Sequence, residues 1–142
     1  MKTIATVLFD WDGTLLRLRR SSVPGFYKGT GGIWADLLMR GLPGRIYAGL
    51  ANPDRVGCEF ERLGLSFPAI VCHEDVVHRK PYPEGIERAL ALLQASAESC
   101  CFVGEAPEDI EMAKREGVFT VGVVSDYVTR GRMELAAPGC SA

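Results

Sequence analysis

The sequence predicts an α/β fold: a single Rossmann-like, three-layer α/β/α domain built on a five-stranded parallel sheet. Short apolar runs alternate with stretches of helical character along most of the chain. The runs are continuous and rich in Val, Ile, Phe and Cys, which is typical of strands covered on both faces. A chain of 142 residues is long enough to bury one core, so we expect one domain over residues 1–142.

Five apolar runs are the predicted strands: residues 3–9, 45–50, 69–72, 100–103 and 119–124. The predicted helices between them are residues 33–40, 54–63, 83–95 and 108–116. Glycine follows three of these four helical stretches, which is typical of a helix end. In the third stretch, Ile86, Leu90 and Leu93 recur at helical spacing and form an apolar stripe. Strands that alternate with helices in this way are joined by right-handed crossovers into a parallel sheet.

Residues 16–32 break the alternation. They are rich in glycine, carry three arginines near their start and have no apolar periodicity. We expect a loop or flap here, which acts either as a lid near the first strand or as a solvated connector. Residues 126–142 also have little pattern, so we expect a C-terminal tail whose end frays.

Composition and charge argue against several classes of function. The net charge of −2 gives no electrostatic indication of binding to nucleic acid or an anionic membrane, and no apolar run approaches the length of a membrane span. The N-terminus lacks the pattern of a signal peptide. Five cysteines, two of them adjacent, match neither a disulfide framework nor a metal motif. We therefore expect reduced thiols in a cytoplasmic protein.

Two carboxylates, Asp10 and Asp12, follow the first predicted strand and precede a glycine. On a strand, a spacing of i and i+2 places both side chains on one face. At the carboxyl end of a parallel strand they would lie in the crevice where α/β sheets bind ligands. Two acids this close repel each other unless a cation lies between them. The pair therefore indicates a Mg2+ site and phosphate chemistry.

Four segments resemble, in order, the motifs of the haloacid-dehalogenase-like (HAD) phosphohydrolases. Residues 10–14 (DWDGT) resemble the first motif, residues 79–83 (RKPYP) the third and residues 103–110 (VGEAPEDI) the fourth. Residues 49–52 (GLAN) lie where the second motif is expected. The order and spacing hold over most of the chain, and the core is most similar to the phosphoglycolate-phosphatase-type members.

The resemblance implies a Mg2+-dependent phosphatase acting on a small-molecule phosphate ester. Asp10 would attack phosphorus and form an aspartyl-phosphate, while Asp12 would protonate the leaving oxygen and later activate water. Lys80 would neutralise the crowded anions and hold the phosphoryl group in line. The implied Mg2+ ligands are Asp10, Asp12, Glu105 and Asp109.

Two positions depart from the family pattern. The second motif of the family ends in Ser or Thr, whereas this chain has Ala51. The implied phosphate-binding residues are therefore Ala51, Asn52 and Lys80, with Asn52 or its main-chain N–H compensating in part for the lost hydroxyl. The fourth motif opens with Glu105 instead of Asp, which lengthens a metal ligand by one methylene group. The alternative hypothesis is a catalytically impaired binding or regulatory protein with the same fold.

Many relatives insert a cap domain after the first motif. Residues 16–44 are too few for a cap once the predicted helix over 33–40 is subtracted, so we expect a capless chain. An open site of this kind suits larger phosphate esters, or closure by a partner subunit in a homodimer.

Overall fold

The structure is a computed structural model that describes residues 4–11, 14, 16–17, 25–26, 44–46, 57–58, 61–62, 67–124, 130–136 and 139–141. The strands are β1 (Thr6–Phe9), β2 (Leu16–Arg17), β3 (Gly25–Phe26), β4 (Gly44–Ile46), β5 (Cys100–Gly104), β6 (Phe119–Gly122) and β7 (Cys140–Ser141). The α-helices are α1 (Glu84–Leu93), α2 (Pro107–Arg115) and α3 (Arg130–Ala136). Short 3-10 turns cover His73–Asp75 and Ala97–Ser99. Within the described part of the chain, no helix has the length and apolar character needed to cross a bilayer.

A parallel sheet forms the centre of the fold. Its middle strands are β1, β5 and β6, and β4 and β7 pair at the two sides in the order β4-β1-β5-β6-β7. Phe9 of β1 lies opposite Val103 of β5, and Val103 lies opposite Val121 of β6. Because the strands run parallel, their carboxyl ends reach the same edge of the sheet. The predicted α/β class is confirmed by this arrangement.

Helix α1 packs on the sheet through the apolar stripe predicted from its sequence. Ile86, Leu90 and Leu93 are buried and belong to one cluster with Leu8 and Phe102 of the sheet. Burying large aliphatic side chains of this kind contributes about 1.5–3 kcal/mol each. The helical period of the sequence therefore identifies both the helix and the face that it buries.

Helix α2 begins and ends where local chemistry favours it. Pro107 is its first residue, where the missing N–H of proline leaves no donor unsatisfied. Gly117 follows its end with φ of 72°, a left-handed conformation that glycine adopts without steric cost. The bounds of α1 and α2 agree with the predicted helices to within two residues.

The strand predicted at residues 69–72 is wrong. No strand is assigned there, although Ala69, Val71 and Cys72 are buried. Ala69 and Val71 belong to the core cluster around α1, so this apolar run reflects burial and not strand pairing. A run of only four apolar residues does not distinguish the two. The sheet instead includes β7, which was not predicted, so the predicted set of five strands is not confirmed.

The flap and the tail have more regular structure than the sequence predicts. Within residues 16–32, β2 and β3 form an antiparallel pair. Within residues 126–142, α3 and β7 are formed, and β7 pairs with β6. Met133 of α3 packs on Ile110 of α2, and both are fully buried. These contacts join parts of the chain that are distant in sequence, so local patterns do not reveal them.

Several predicted elements fall outside the described residues. The helix over 33–40 lies there entirely. Of the helix over 54–63, only residues 57–58 and 61–62 are described, and these are helical. Of the strand over 45–50, the described part belongs to β4.

Candidate active site

Side chains from four places meet at the carboxyl edge of the sheet. Asp10 directly follows β1, and Glu105 directly follows β5. The N–H of Asp10 donates to the carbonyl oxygen of Val103 at 2.9 Å, which ties the ends of the two strands together. Lys80 comes from the loop before α1, and Asp109 from the first turn of α2. Four of the five charged residues singled out in these motifs therefore share one edge of the sheet.

Lys80 lies between two aspartates at the centre of this site. Its Nζ is 2.6 Å from Asp10 Oδ1 and also contacts Asp109 Oδ1. The side chains of Lys80 and Asp10 are 7% and 8% exposed, and that of Asp109 is fully buried. Burial alone would lower the pKa of Lys80, but the two carboxylates outweigh it and hold the pKa above its ordinary value. Lys80 is therefore a cation at neutral pH.

Asp109 is engaged at both carboxylate oxygens. Its Oδ1 contacts Lys80, and its Oδ2 accepts the N–H of Ala106 at 3.0 Å, a bond that caps α2. Gly104 makes room for this carboxylate, because a Cβ at residue 104 would lie 2.6 Å from Asp109 Oδ2. Sequence reasoning missed the role of Gly104, although its position immediately before Glu105 was an available signal.

A second side chain orients Asp10. The hydroxyl of Thr14 donates to Asp10 Oδ2 at 3.4 Å, and both residues are buried. Sequence reasoning included Thr14 in the first motif but gave it no role. Because Lys80 and Thr14 contact different oxygens, the Asp10 carboxylate is restrained in its orientation.

The loop that carries Lys80 is tied to the first turn of α1. Glu84 accepts the N–H of Val77 at 2.9 Å and the N–H of His78 at 2.7 Å. Its Oε2 also lies 3.2 Å from His78 Nδ1. The two backbone hydrogen bonds hold the pKa of Glu84 below its ordinary value. The backbone just before Lys80 is therefore anchored to a helix.

A cleft of about 280 Å³ opens beside Lys80. It is lined by Asp10, Arg79, Lys80, Glu105, Ala106, Glu108 and Asp109. Four carboxylates and two cationic side chains leave a formal excess of two negative charges. Oxygen donors with such an excess fit a divalent cation such as Mg2+. The described residues by themselves contain no group of three or more His, Cys, Asp or Glu side chains arranged to hold a metal ion.

The structure brings together part of the predicted site. Asp10, Lys80, Glu105 and Asp109 all line the cleft. The remaining predicted residues, Asp12, Ala51 and Asn52, lie outside the described residues. Sequence reasoning gave no role to Arg79 or Glu108, which also line the cleft.

A larger cavity of about 640 Å³ lies between α2 and α3. Glu111, Arg132 and Leu135 are among its lining residues, whereas Asp10 and Lys80 are not. It brings no buried acid and base together, so size does not make it the better candidate. The smaller cleft, which joins Lys80 to Asp10 and Asp109, is therefore the candidate site.

The fold and the cleft define a class: an α/β protein with a buried lysine between two aspartates at the carboxyl edge of a parallel sheet. In α/β sheets this edge is where ligands bind. The sequence model of the haloacid dehalogenase-like hydrolases matches residues 54–123. Over these residues, which are just under half of the chain, the sequence is similar to that family.

Comparison with individual proteins gives partial sequence similarity and extensive structural similarity. The pyrophosphatase PpaX of Anoxybacillus flavithermus is 40% identical over 81 residues, which are 57% of this chain and 37% of PpaX. The chain thus matches little more than a third of the length of this relative. A protein from Bacteroides fragilis, described as a haloacid dehalogenase-like hydrolase, superposes with a TM-score of 0.85 at 17% identity, covering 98% of this chain and 96% of its own. CbbY of Rhodobacter sphaeroides, solved in complex with phosphate, gives 0.78 at 15% identity, with 99% and 94% covered. At these identities the two structures show a shared fold alone.

Proposed function

We propose that this protein is a Mg2+-dependent phosphatase that removes a phosphoryl group from a small molecule through an aspartyl-phosphate at Asp10. The observation that carries the proposal is the buried Lys80 paired with Asp10, in a cleft with an excess of negative charge. The similarity of residues 54–123 to the haloacid dehalogenase-like hydrolases supports the same class of reaction. The substrate we propose is a phosphomonoester, and the match to a pyrophosphatase makes inorganic pyrophosphate a further candidate.

In the proposed reaction, a carboxylate oxygen of Asp10 attacks phosphorus while the bond to the leaving oxygen breaks. Asp12 gives a proton to that leaving oxygen. Water then attacks the aspartyl-phosphate, Asp12 takes a proton from the water, and inorganic phosphate leaves with Asp10 restored. Lys80 holds Asp10 in position and offsets the negative charge that gathers on the phosphoryl oxygens.

The proposed metal ligands are the carboxylate-bearing residues Asp10, Asp12 and Glu105. Bound there, Mg2+ supplies the positive charge that lets an anionic nucleophile approach a phosphate. Asp109, the fourth ligand implied by the resemblance, has one oxygen on Lys80 and the other on a main-chain N–H. We therefore assign Asp109 to positioning Lys80.

The proposal also includes a flap at residues 16–32 in place of a cap domain. The antiparallel pair of β2 and β3 supports a small ordered element within this segment. Without a cap, the cleft would be accessible to a phosphate ester or to a partner subunit.

The test is release of inorganic phosphate from a panel of sugar phosphates, nucleotides, phosphoglycolate and pyrophosphate. Each substrate is assayed with Mg2+ and with a chelator, for the wild type and for Asp10→Asn. We expect Mg2+-dependent release that the substitution abolishes. Wild-type release no greater than that of Asp10→Asn on every substrate would contradict the proposal.

A second candidate is a binding or regulatory protein with an impaired site. Ala51 and Glu105 favour it, since each replaces a residue type that the family pattern uses. Beryllofluoride with Mg2+ mimics an aspartyl-phosphate and separates the two candidates. A functional phosphoryl-transfer pocket binds it, which raises the thermal midpoint. An unchanged midpoint would favour the second candidate.

A further inference from the structure

We propose that Arg79 binds a second anionic group of the substrate, so that the cleft selects compounds with a phosphate or carboxylate close to the transferred phosphoryl group. This inference rests on the proposed phosphatase function and names the substrate class for the same cleft. The feature that carries it is Arg79, an exposed residue that lines the cleft.

The two cationic residues that line the cleft, Lys80 and Arg79, have different surroundings. Lys80 is buried, and both Asp10 and Asp109 contact its ammonium group. Arg79 is exposed, and its side chain makes no ion pair or hydrogen bond to another residue in the described part of the chain. The charge of Lys80 is thus neutralised by these two carboxylates. The positive charge of Arg79 is available to pair with an anionic group of a ligand in the cleft.

The backbone of Arg79 is held in place on both sides. Before it, the N–H groups of Val77 and His78 donate to Glu84 of α1. At Arg79 itself, the carbonyl oxygen accepts the N–H of Tyr82 at 3.0 Å. After it, the neighbouring lysine is anchored in the centre of the site. The guanidinium is therefore carried on a fixed loop, which lowers the cost of ordering it around a ligand.

Guanidinium chemistry suits a second anionic group. The planar fork of arginine forms two parallel hydrogen bonds to a phosphate or carboxylate. Among the described residues that line the cleft, Glu108 is the other exposed charged residue, and its carboxylate would repel an anion. A substrate with a neutral leaving group gains nothing from Arg79. A substrate with an anionic leaving group gains charge-assisted hydrogen bonds.

Steady-state kinetics of Arg79→Met test this inference with three substrates and Mg2+. Pyrophosphate carries a second phosphate, phosphoglycolate carries a carboxylate, and phenyl phosphate carries neither. We expect kcat/KM to fall about 10- to 100-fold for one or both of the substrates with a second anionic group. For phenyl phosphate, kcat/KM should stay within about twofold of the wild-type value. The pattern of loss identifies the anion: a loss on pyrophosphate alone indicates phosphate, and a loss on phosphoglycolate alone indicates carboxylate.

Two further variants control for charge and geometry. Arg88→Met removes an exposed arginine of α1 that does not line the cleft, and it should leave all three values unchanged. Arg79→Lys keeps the charge but not the fork, so it should give an intermediate loss. If Arg79→Met lowers kcat/KM equally for all three substrates, or for none, the inference is overturned.

A binding measurement separates failure of this inference from failure of the proposed function. Methylenediphosphonate and methylphosphonate are not hydrolysed, so calorimetry with Mg2+ measures their affinities even if the wild type turns over no substrate. A wild-type preference for the diphosphonate that Arg79→Met removes would support Arg79 as the anion-binding residue. Equal wild-type affinities would overturn it, and so would a preference for the diphosphonate that Arg79→Met leaves unchanged.

Discussion

Replacing Lys80 by Met tests the centre of the site directly. The variant keeps an unbranched side chain but removes the ammonium that contacts Asp10 and Asp109. The two carboxylate side chains would remain with only 8% and 0% exposure. Breaking a buried ion pair from one side costs about 3–5 kcal/mol, and two pairs that share one cation do not add. We expect the free energy of unfolding to fall by about 3–5 kcal/mol and phosphate release to be lost.

Urea unfolding at neutral pH measures this loss. Lys114→Met is the matched control, because Lys114 is exposed on α2 and its Nζ donates to the carbonyl oxygen of Ala136 at 3.4 Å. That variant should change the free energy of unfolding by about 0.5 kcal/mol or less. Adding Asp109→Asn to Lys80→Met should recover part of the loss, since it removes one uncompensated charge. A loss below about 1 kcal/mol in Lys80→Met would refute the reasoning.

The sign of the pH dependence follows from the raised pKa of Lys80. A cation whose pKa is higher in the folded state stabilises fully below its unfolded pKa, and the stabilisation is lost as pH rises through the folded value. The unfolded value for lysine is about 10.4. The difference between wild type and Lys80→Met should therefore persist from about pH 8 to 10. If the stability difference between wild type and Lys80→Met shrinks across this range, the pKa of Lys80 is not raised in the folded protein.

Three further predictions concern the surroundings of the site. Gly104→Ala places a carbon 2.6 Å from a carboxylate oxygen of Asp109, so denaturant titrations should show a free energy of unfolding lower by about 1–3 kcal/mol. Its control is Gly131→Ala in α3, where the added carbon meets no neighbouring atom and should not destabilise the protein. The pKa of Glu84 is lowered in the folded protein, so its carboxylate stabilises the fold above the ordinary carboxyl pKa and loses this effect as pH falls through the folded value. The difference in thermal midpoint between wild type and Glu84→Gln should therefore shrink on acidification. Burial first, and nearby acids second, raise the pKa of Cys72 to about 11, so iodoacetamide should modify exposed Cys58 well before Cys72, as mapped by mass spectrometry. Equal rates for the two thiols would contradict the burial of Cys72.

Local patterns were enough to predict the main elements around the site. The spacing of Ile86, Leu90 and Leu93 predicted α1 because helical periodicity is a property of neighbouring residues. Acids directly after apolar runs predicted a shared edge because parallel strands end together, and Asp10 and Glu105 do line one cleft. The family resemblance followed from the same short segments.

Contacts between distant residues account for what the sequence left open. The buried run at residues 69–72 packs in the core without forming a strand. The tail, in which the sequence showed little pattern, contains α3, whose Met133 packs on Ile110. The motifs predicted that Lys80 is functional, but only the folded chain shows that its ammonium group contacts the carboxylates of both Asp10 and Asp109. The strength of an ion pair, the burial of a side chain and the space beside a glycine all depend on which segments pack together. Those contacts are set by residues distributed over the whole chain, so no short segment predicts them.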